Sequence, residues 1–95
     1  MKNIFDVSLT RKALKDLKKV PPYISLKLQA WIEDVGHRGI IEVRKIPGYN
    51  DELLKGKRRG QRSIRLSRSY RAIYTIKKDG TVQFIEIIEV NKHEY

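Results

Sequence analysis

The sequence predicts an α+β fold: a small, antiparallel-dominated sheet of about four strands, with an N-terminal helical hairpin packed on one face, in the order β-α-α-β-β-β. Three observations predict it. Two stretches with apolar residues at helical spacing are separated by Pro21-Pro22, three β-rich stretches with short turn signals follow Gly60, and a short apolar stretch precedes the first helix. The 95 residues suffice for one domain, 1–95. A chain of this size buries roughly 60–68 % of its unfolded surface.

Residues 3–7, N-I-F-D-V, read as a first strand with Ile4, Phe5 and Val7 apolar. Ser8 or Thr10 then offers a hydroxyl to cap a helix whose apolar face is Leu9, Ala13, Leu14 and Leu17, ending near Val20. Pro21-Pro22 stops that helix, and the second proline opens the next, because a first helical turn needs no amide donor there. This second helix is expected over Pro22 to Val35, with Tyr23, Ile24, Leu26, Leu28, Trp31, Ile32 and Val35 on a broad apolar face and Gly36 as its C-cap. Trp31 at helical spacing belongs to the core, and His37 in the glycine-rich helix exit belongs to the surface. Residues 39–60 are irregular, punctuated by Gly39, Pro47, Gly48, Asn50, Gly56 and Gly60. A loop of that length in a compact domain is usually functional.

Three strands follow. Ile64 and Leu66 alternate with Ser63, Arg65 and Ser67; Tyr70 to Lys77 is rich in β-formers; Val82 to Val90 is apolar on both sides and therefore central. A three-residue loop at Ser67-Arg68-Ser69 pairs Leu66 with Tyr70, Ile64 with Ala72 and Arg65 with Arg71. At Lys78-Asp79-Gly80, a two-residue turn would pair Arg71 with Ile88. A three-residue loop with Gly80 left-handed would pair Arg71 with Ile87 and Tyr74 with Phe84, setting Tyr70, Ala72, Tyr74 and Ile76 beside Val82, Phe84 and Ile88. The second option segregates apolar side chains better and is the expected one. The even-numbered face then lies under the helices. The odd-numbered face carries Ser63, Arg65, Arg71 and, by continued alternation, Asn91 and His93. Two arginines directly opposite each other repel, a cost that an anion between them would remove.

The charge is concentrated in the same region. Residues 44–71 hold ten bases and two acids, a net +8 of the chain's +10. So local an excess is the footprint of a polyanion partner, most often nucleic acid. It falls on strands and loops rather than on an amphipathic helix, which argues against a membrane surface. With no cysteine, disulfides, cysteine zinc sites and thiol catalysis are excluded, and two distant histidines make no metal site. No apolar run approaches the ~20 residues of a membrane span. The N-terminal M-K-N-I-F-D-V has no signal-peptide core, so a cytoplasmic location is expected. The chain closes on E-V-N-K-H-E-Y, which sets a histidine, the side chain best suited to proton transfer near neutral pH, beside the arginine face.

The run L-L-K-G-K-R-R-G-Q-R-S-I-R-L-S-R-S-Y-R-A-I-Y, closing on K-H-E-Y, resembles the RelE/ParE superfamily. The similarity is closest to the RelE, YoeB and HigB-type toxins of type II toxin–antitoxin pairs, and the element order matches over essentially the whole chain. The resemblance implies a small ribosome-dependent endoribonuclease that cuts mRNA in the ribosomal A site, against 16S rRNA, and is neutralised by a cognate antitoxin. It implies no cofactor and no metal: the ribose 2′-hydroxyl attacks the adjacent phosphorus and the 5′-oxygen leaves. Such a site needs a base, cations for the phosphorane charge and an acid.

By the same resemblance Arg71, in an R-x-x-Y motif, is the phosphate clamp, and Arg65 is the basic residue of the preceding strand. Lys55 is the lysine of L-K-G, and Glu52, three residues before it, stands where YoeB-like toxins place a carboxylate base. His93 matches the C-terminal acid and Tyr95 the terminal tyrosine. Lys57, Arg58, Arg59, Arg62 and Arg68 are expected to contact RNA or ribosomal phosphates. RelE itself lacks the histidine, and Ser63 replaces a lysine found there, so the general base stays open between Glu52 and the His93/Arg65 environment. Two other functions compete: a ParE-like gyrase poison on the same fold, and a non-catalytic RNA- or ribosome-binding module.

Overall fold

The computed structural model describes residues 2–92. In chain order they form β1 (Val7–Leu9), α1 (Arg11–Leu17), α2 (Pro22–Arg38), α3 (Ile40–Val43), β2 (Glu52–Leu53), β3 (Arg62–Arg65), β4 (Tyr70–Asp79) and β5 (Val82–Lys92). Single 3-10 turns occupy Pro47–Tyr49 and Gly56–Arg58. Among the described residues the strands make one five-stranded sheet in the order β1-β5-β4-β3-β2. β1 runs parallel to β5, and the other neighbours are antiparallel. The fold is α+β as expected, with one strand more than the sequence suggested. No helix among these residues is long and apolar enough to cross a membrane.

The extra strand, β2, is two residues long and lay hidden in the loop predicted over 39–60. So did α3, and this segment buries Ile40, Val43 and Tyr49. The Tyr49 hydroxyl donates to Asp34 at 2.7 Å. Burial first, and that carboxylate second, push the phenol up to about 12.

α2 begins at Pro22 as predicted but runs past Gly36 to Arg38. Its stop is Gly39, at φ +81°, whose amide donates to the Val35 carbonyl at 2.8 Å. A side chain at Gly39 would lie within 2.4 Å of the Asn3 carboxamide. Asn3 Oδ1 holds the Ile4 and Ile41 amides at 3.0 and 3.1 Å, so the glycine is needed where these chain segments meet. α2 buries the stripe Ile24, Leu28, Trp31 and Val35 and leaves Tyr23 and Leu26 outside. The apolar face is therefore narrower than expected.

The first strand lies later than predicted, at Val7–Leu9 rather than residues 3–7. Its position is set by hydrogen bonds to β5, from the Ile85 amide to the Asp6 carbonyl and from the Thr10 amide to the Ile87 carbonyl. Thr10, not Ser8, caps α1: its hydroxyl accepts from the Ala13 amide at 3.1 Å and donates to the Ile88 carbonyl at 3.0 Å. α1 ends at Leu17, short of Val20.

The Ser67-Arg68-Ser69 loop pairs Ile64 with Ala72 and Arg65 with Arg71 as expected. The β4–β5 register differs from both options considered. The turn is Gly80-Thr81, with Asp79 opposite Val82, and a bulge between Ile73 and Tyr74 leaves Ile88 unpaired. Arg71 therefore faces Asn91 instead of Ile87, and Tyr74 faces Ile87 instead of Phe84. β5 presents Ile85, Ile87 and, after the bulge, Val90 to the core, in place of Val82, Phe84 and Ile88.

The reason lies in α1. Its Thr10 takes the Ile88 carbonyl, and its Asp16 Oδ2 accepts the Val90 amide at 3.0 Å. Burial would raise the Asp16 carboxyl, but the Val90 amide and Lys12 outweigh it and hold the group below its ordinary value. Asp16→Ala is expected to cost about 1–3 kcal/mol, because the Val90 amide loses its acceptor, as read by urea unfolding. Because the folded-state value is depressed, the parent's advantage is full above the ordinary carboxylate range and fades as pH falls through the depressed value. A difference that does not change between neutral and acid pH would refute the assignment.

Candidate functional site

The face of the sheet away from the helices carries the site. Strand pairing sets two rows across it. One is Glu52 on β2, Ser63 on β3, Ile73 on β4 and Glu89 on β5; the next is Arg65, Arg71 and Asn91. Ser63 and Ile73 are only 1 % and 5 % exposed, although both lie outside the core cluster that packs under the helices. Side chains of this face bury them.

Two ion pairs run over it. Arg71 Nη2 donates to Glu52 Oε1 at 2.8 Å. Because β3 separates β4 from β2, this bridge passes over β3, where Ser63 stands directly opposite Glu52. Arg58 reaches from the β2–β3 connection to β5, where its Nη2 meets Glu89 Oε1 at 2.5 Å, while its Nη1 donates to Gln61 Oε1 at 2.9 Å. The arginine stems cover apolar floor and their heads stay at the rim. Between them is a cleft of about 270 Å³ lined by Leu54, Arg58, Ser63, Arg71, Ile73, Asn91 and Lys92. The Ser63 hydroxyl is buried at its floor with no hydrogen-bond partner.

The two carboxylates differ. Hydrogen bonding and charge attraction from Arg71 hold Glu52 below its ordinary value, with Asn50 and Arg65 adding to the effect. Yet the Glu52 side chain is 48 % exposed and can swing out into water. Glu89, its side chain largely buried, is pushed up by burial, and its bonds from Asn91 and Arg58 bring it below the ordinary value.

On the opposite face of the same strands lies a buried anchor. Asp51 accepts from Arg62 Nε at 2.6 Å and from the Tyr74 hydroxyl at 2.5 Å, and Arg44 Nε donates to that hydroxyl at 3.4 Å. The Tyr74 ring meets Trp31 at 5.3 Å between centroids. Burial above all, then Asp51, raises the Tyr74 phenol far above its ordinary value. This anchor seats β2 and so positions Glu52, the next residue.

The structure thus brings Glu52, Arg65 and Arg71 together on one face. Lys55, Lys57 and Arg59 are exposed in the β2–β3 connection and Arg68 is exposed at the β3–β4 turn. Arg58, expected to be a phosphate contact, is instead engaged with Glu89 in the cleft wall. Arg62, expected in the same set, points to the helix-covered face and is engaged by Asp51. His93 and Tyr95 lie outside the described residues. Sequence reasoning missed Glu89 and Asp51. Glu89 could have been found, since it alternates with Asn91 on the odd-numbered face; nothing local marked Asp51.

Comparison with protein families returns one model, described as ParE toxin of type II toxin–antitoxin system, parDE, which matches residues 7–94. The chain belongs to the ParE toxin family. It is accordingly a member of the RelE/ParE superfamily of type II toxins. Comparison with curated proteins returned no significant match. Among solved structures, a YoeB/ParE toxin from Agrobacterium tumefaciens is 20 % identical and aligns over 94 % of this chain and 99 % of its own, with a TM-score of 0.66. YafQ from Escherichia coli aligns at TM-score 0.72 with 14 % identity, covering 93 % of this chain and 92 % of its own. The toxin in the YoeB–YefM complex from Staphylococcus aureus aligns at 0.65 with 20 % identity, over 95 % and 97 %. At these identities the likeness is one of fold.

Chemically, the toxin's open face offers cations, a half-exposed carboxylate and a partly apolar floor. That combination suits a bound phosphodiester flanked by a base better than a free small anion.

Proposed function

We propose that this chain is the toxin of a type II toxin–antitoxin pair and a cytoplasmic endoribonuclease that cuts translated mRNA in the ribosomal A site. The carrying observation is the Arg71–Glu52 pair poised across the open sheet face with Arg65 alongside. Cleavage is by 2′-hydroxyl attack on the neighbouring phosphorus with no metal taking part.

In this reading Arg71 and Arg65 receive the scissile phosphate and stabilise the charge that builds on its oxygens. Glu52 is a poor base while Arg71 holds it. When the phosphate takes Arg71 the carboxylate is released, its basicity rises, and it removes the 2′-proton. Base activation is thereby coupled to substrate binding. Lys55 adds positive charge beside Glu52, His93 protonates the leaving 5′-oxygen, and Tyr95 stacks on or bonds to the substrate. Lys57, Arg59 and Arg68 contact mRNA or 16S rRNA phosphates. A cognate antitoxin is the natural partner, in keeping with the fold shared with the toxin of the YoeB–YefM complex.

Membership of the ParE toxin family keeps a second reading, a ParE-like gyrase poison on the same fold. Mapping of 5′ ends on a reporter mRNA after brief induction separates the two. New ends inside the reading frame that vanish when the start codon is removed are the expected result. Intact mRNA with growth arrest and DNA damage would replace the ribonuclease reading with the gyrase one.

A further inference from the structure

We propose that Ser63 and Ile73 form the floor of a nucleobase subsite that opens when Glu52 releases Arg71. This rests on the ribonuclease reading and extends it to how one base of the substrate is recognised.

A buried hydroxyl without a partner is costly in a sheet that satisfies its other polar groups, and such an orphan calls for an explanation. Ser63 Oγ is one of two such side-chain atoms among the described residues, and it lies at the floor of the cleft. The other cleft surfaces match a flat heteroaromatic ring. Ile73 and Leu54 supply apolar contact, Asn91 an amide at the edge, and Arg58 a guanidinium plane held in place by Glu89. Exposed bases of single-stranded RNA are read in this way, by apolar or guanidinium stacking with hydrogen bonds to their edges. The volume, about 270 Å³, falls just below the ~300–1,000 Å³ range of drug-sized ligands, as suits a single base.

Access follows from the two ion pairs. The Arg71–Glu52 bridge passes over Ser63, and its Glu52 end is half in water. A phosphate that draws Arg71 away from Glu52 uncovers the hydroxyl. The Arg58–Glu89 pair, its carboxylate largely buried, keeps the far wall in place. Phosphate binding and base recognition are therefore one event. A phosphate without a base would leave the uncovered floor unfilled.

The test uses four 2′-O-methyl tetranucleotides, identical except for one base, and an abasic counterpart. None can be cut, so the outcome does not depend on the chain being a ribonuclease, which the 5′-end map tests separately. Binding is followed by amide chemical shifts of the whole chain. The parent is expected to shift at Ser63 and Ile73 with base-containing oligonucleotides only, and to prefer one base. Ser63→Ala should reduce that preference by about threefold to tenfold, the scale of one neutral hydrogen bond. Its salt dependence should be unchanged and its unfolding midpoint equal or higher, since an unpaired hydroxyl has been removed. Ser63→Thr, which keeps the hydroxyl, should retain the preference. Equal discrimination in Ser63→Ala and the parent, a loss of stability in Ser63→Ala, or the same floor shifts with the abasic oligonucleotide would overturn the proposal. So would shifts absent from the floor altogether.

Discussion

Arg71→Ala is expected to lower mRNA cleavage by at least ~10²–10³-fold, the cost of deleting one preorganised donor to a developing oxyanion, and to leave the fold in place. Both halves follow from where the side chain sits. It projects from the sheet face that no helix covers, and its ion-pair partner Glu52 is 48 % exposed. Pairs of this kind contribute about 0–1 kcal/mol to stability. The urea midpoint should therefore fall only slightly, by the packing that the Arg71 stem loses over the sheet face, while new 5′ ends disappear from the reporter. A second signature is local. Without the Arg71 guanidinium, the Glu52 carboxyl should return upward toward its ordinary range, visible in a side-chain carboxyl titration by NMR. Cleavage at the parent rate in Arg71→Ala would remove this residue from the mechanism. Lost cleavage together with a collapsed midpoint would make it a structural residue instead.

The largest stability effect should come from Asp51→Ala, a loss of about 3–5 kcal/mol, the usual cost of breaking a buried charge pair by removing one partner. The Asp51 side chain is 1 % exposed and Arg62 only 23 %. Removing the carboxylate strands the Arg62 guanidinium and the Tyr74 hydroxyl, whose ring packs on Trp31 at the centre of the core. On a domain of this size such a loss corresponds to a melting temperature lower by roughly 10–25 °C. Asp51→Asn, which removes the charge but keeps an acceptor for one of the two donors, since Arg62 and Tyr74 bond different carboxylate oxygens, should cost less than the alanine. Cleavage should fall as well, because Asp51 seats β2 and Glu52 is the next residue. A midpoint change worth under about 1 kcal/mol would mean that Arg62 and Tyr74 find water as readily as they find Asp51.

Much of this architecture was legible in the chain itself, and what was legible was local. Pro21-Pro22 separated the helices, the broad apolar face predicted for the second helix contained the buried stripe Ile24, Leu28, Trp31 and Val35, and three residues between Leu66 and Tyr70 were enough to set Arg65 opposite Arg71. These signals act over one or two turns of chain, where propensity, steric exclusion and side-chain period are decisive. The placement of the basic cluster on strand and loop came from the same source. What only the tertiary structure decided depends on partners far away. β5 has apolar residues on both faces, so its own pattern permits several registers. The one adopted is set by Thr10 and Asp16 of α1, which hold the backbone around Ile88 and Val90. β2 is too short to have a period; it pairs with β3 beside Asp51, which Arg62 and Tyr74 hold. Arg71 pairs with Glu52 over Ser63, whereas Arg62 is turned to the opposite face and pairs with Asp51. Alternation assigned each its side of the sheet, but the carboxylate that each would meet was settled by packing across strands distant in sequence.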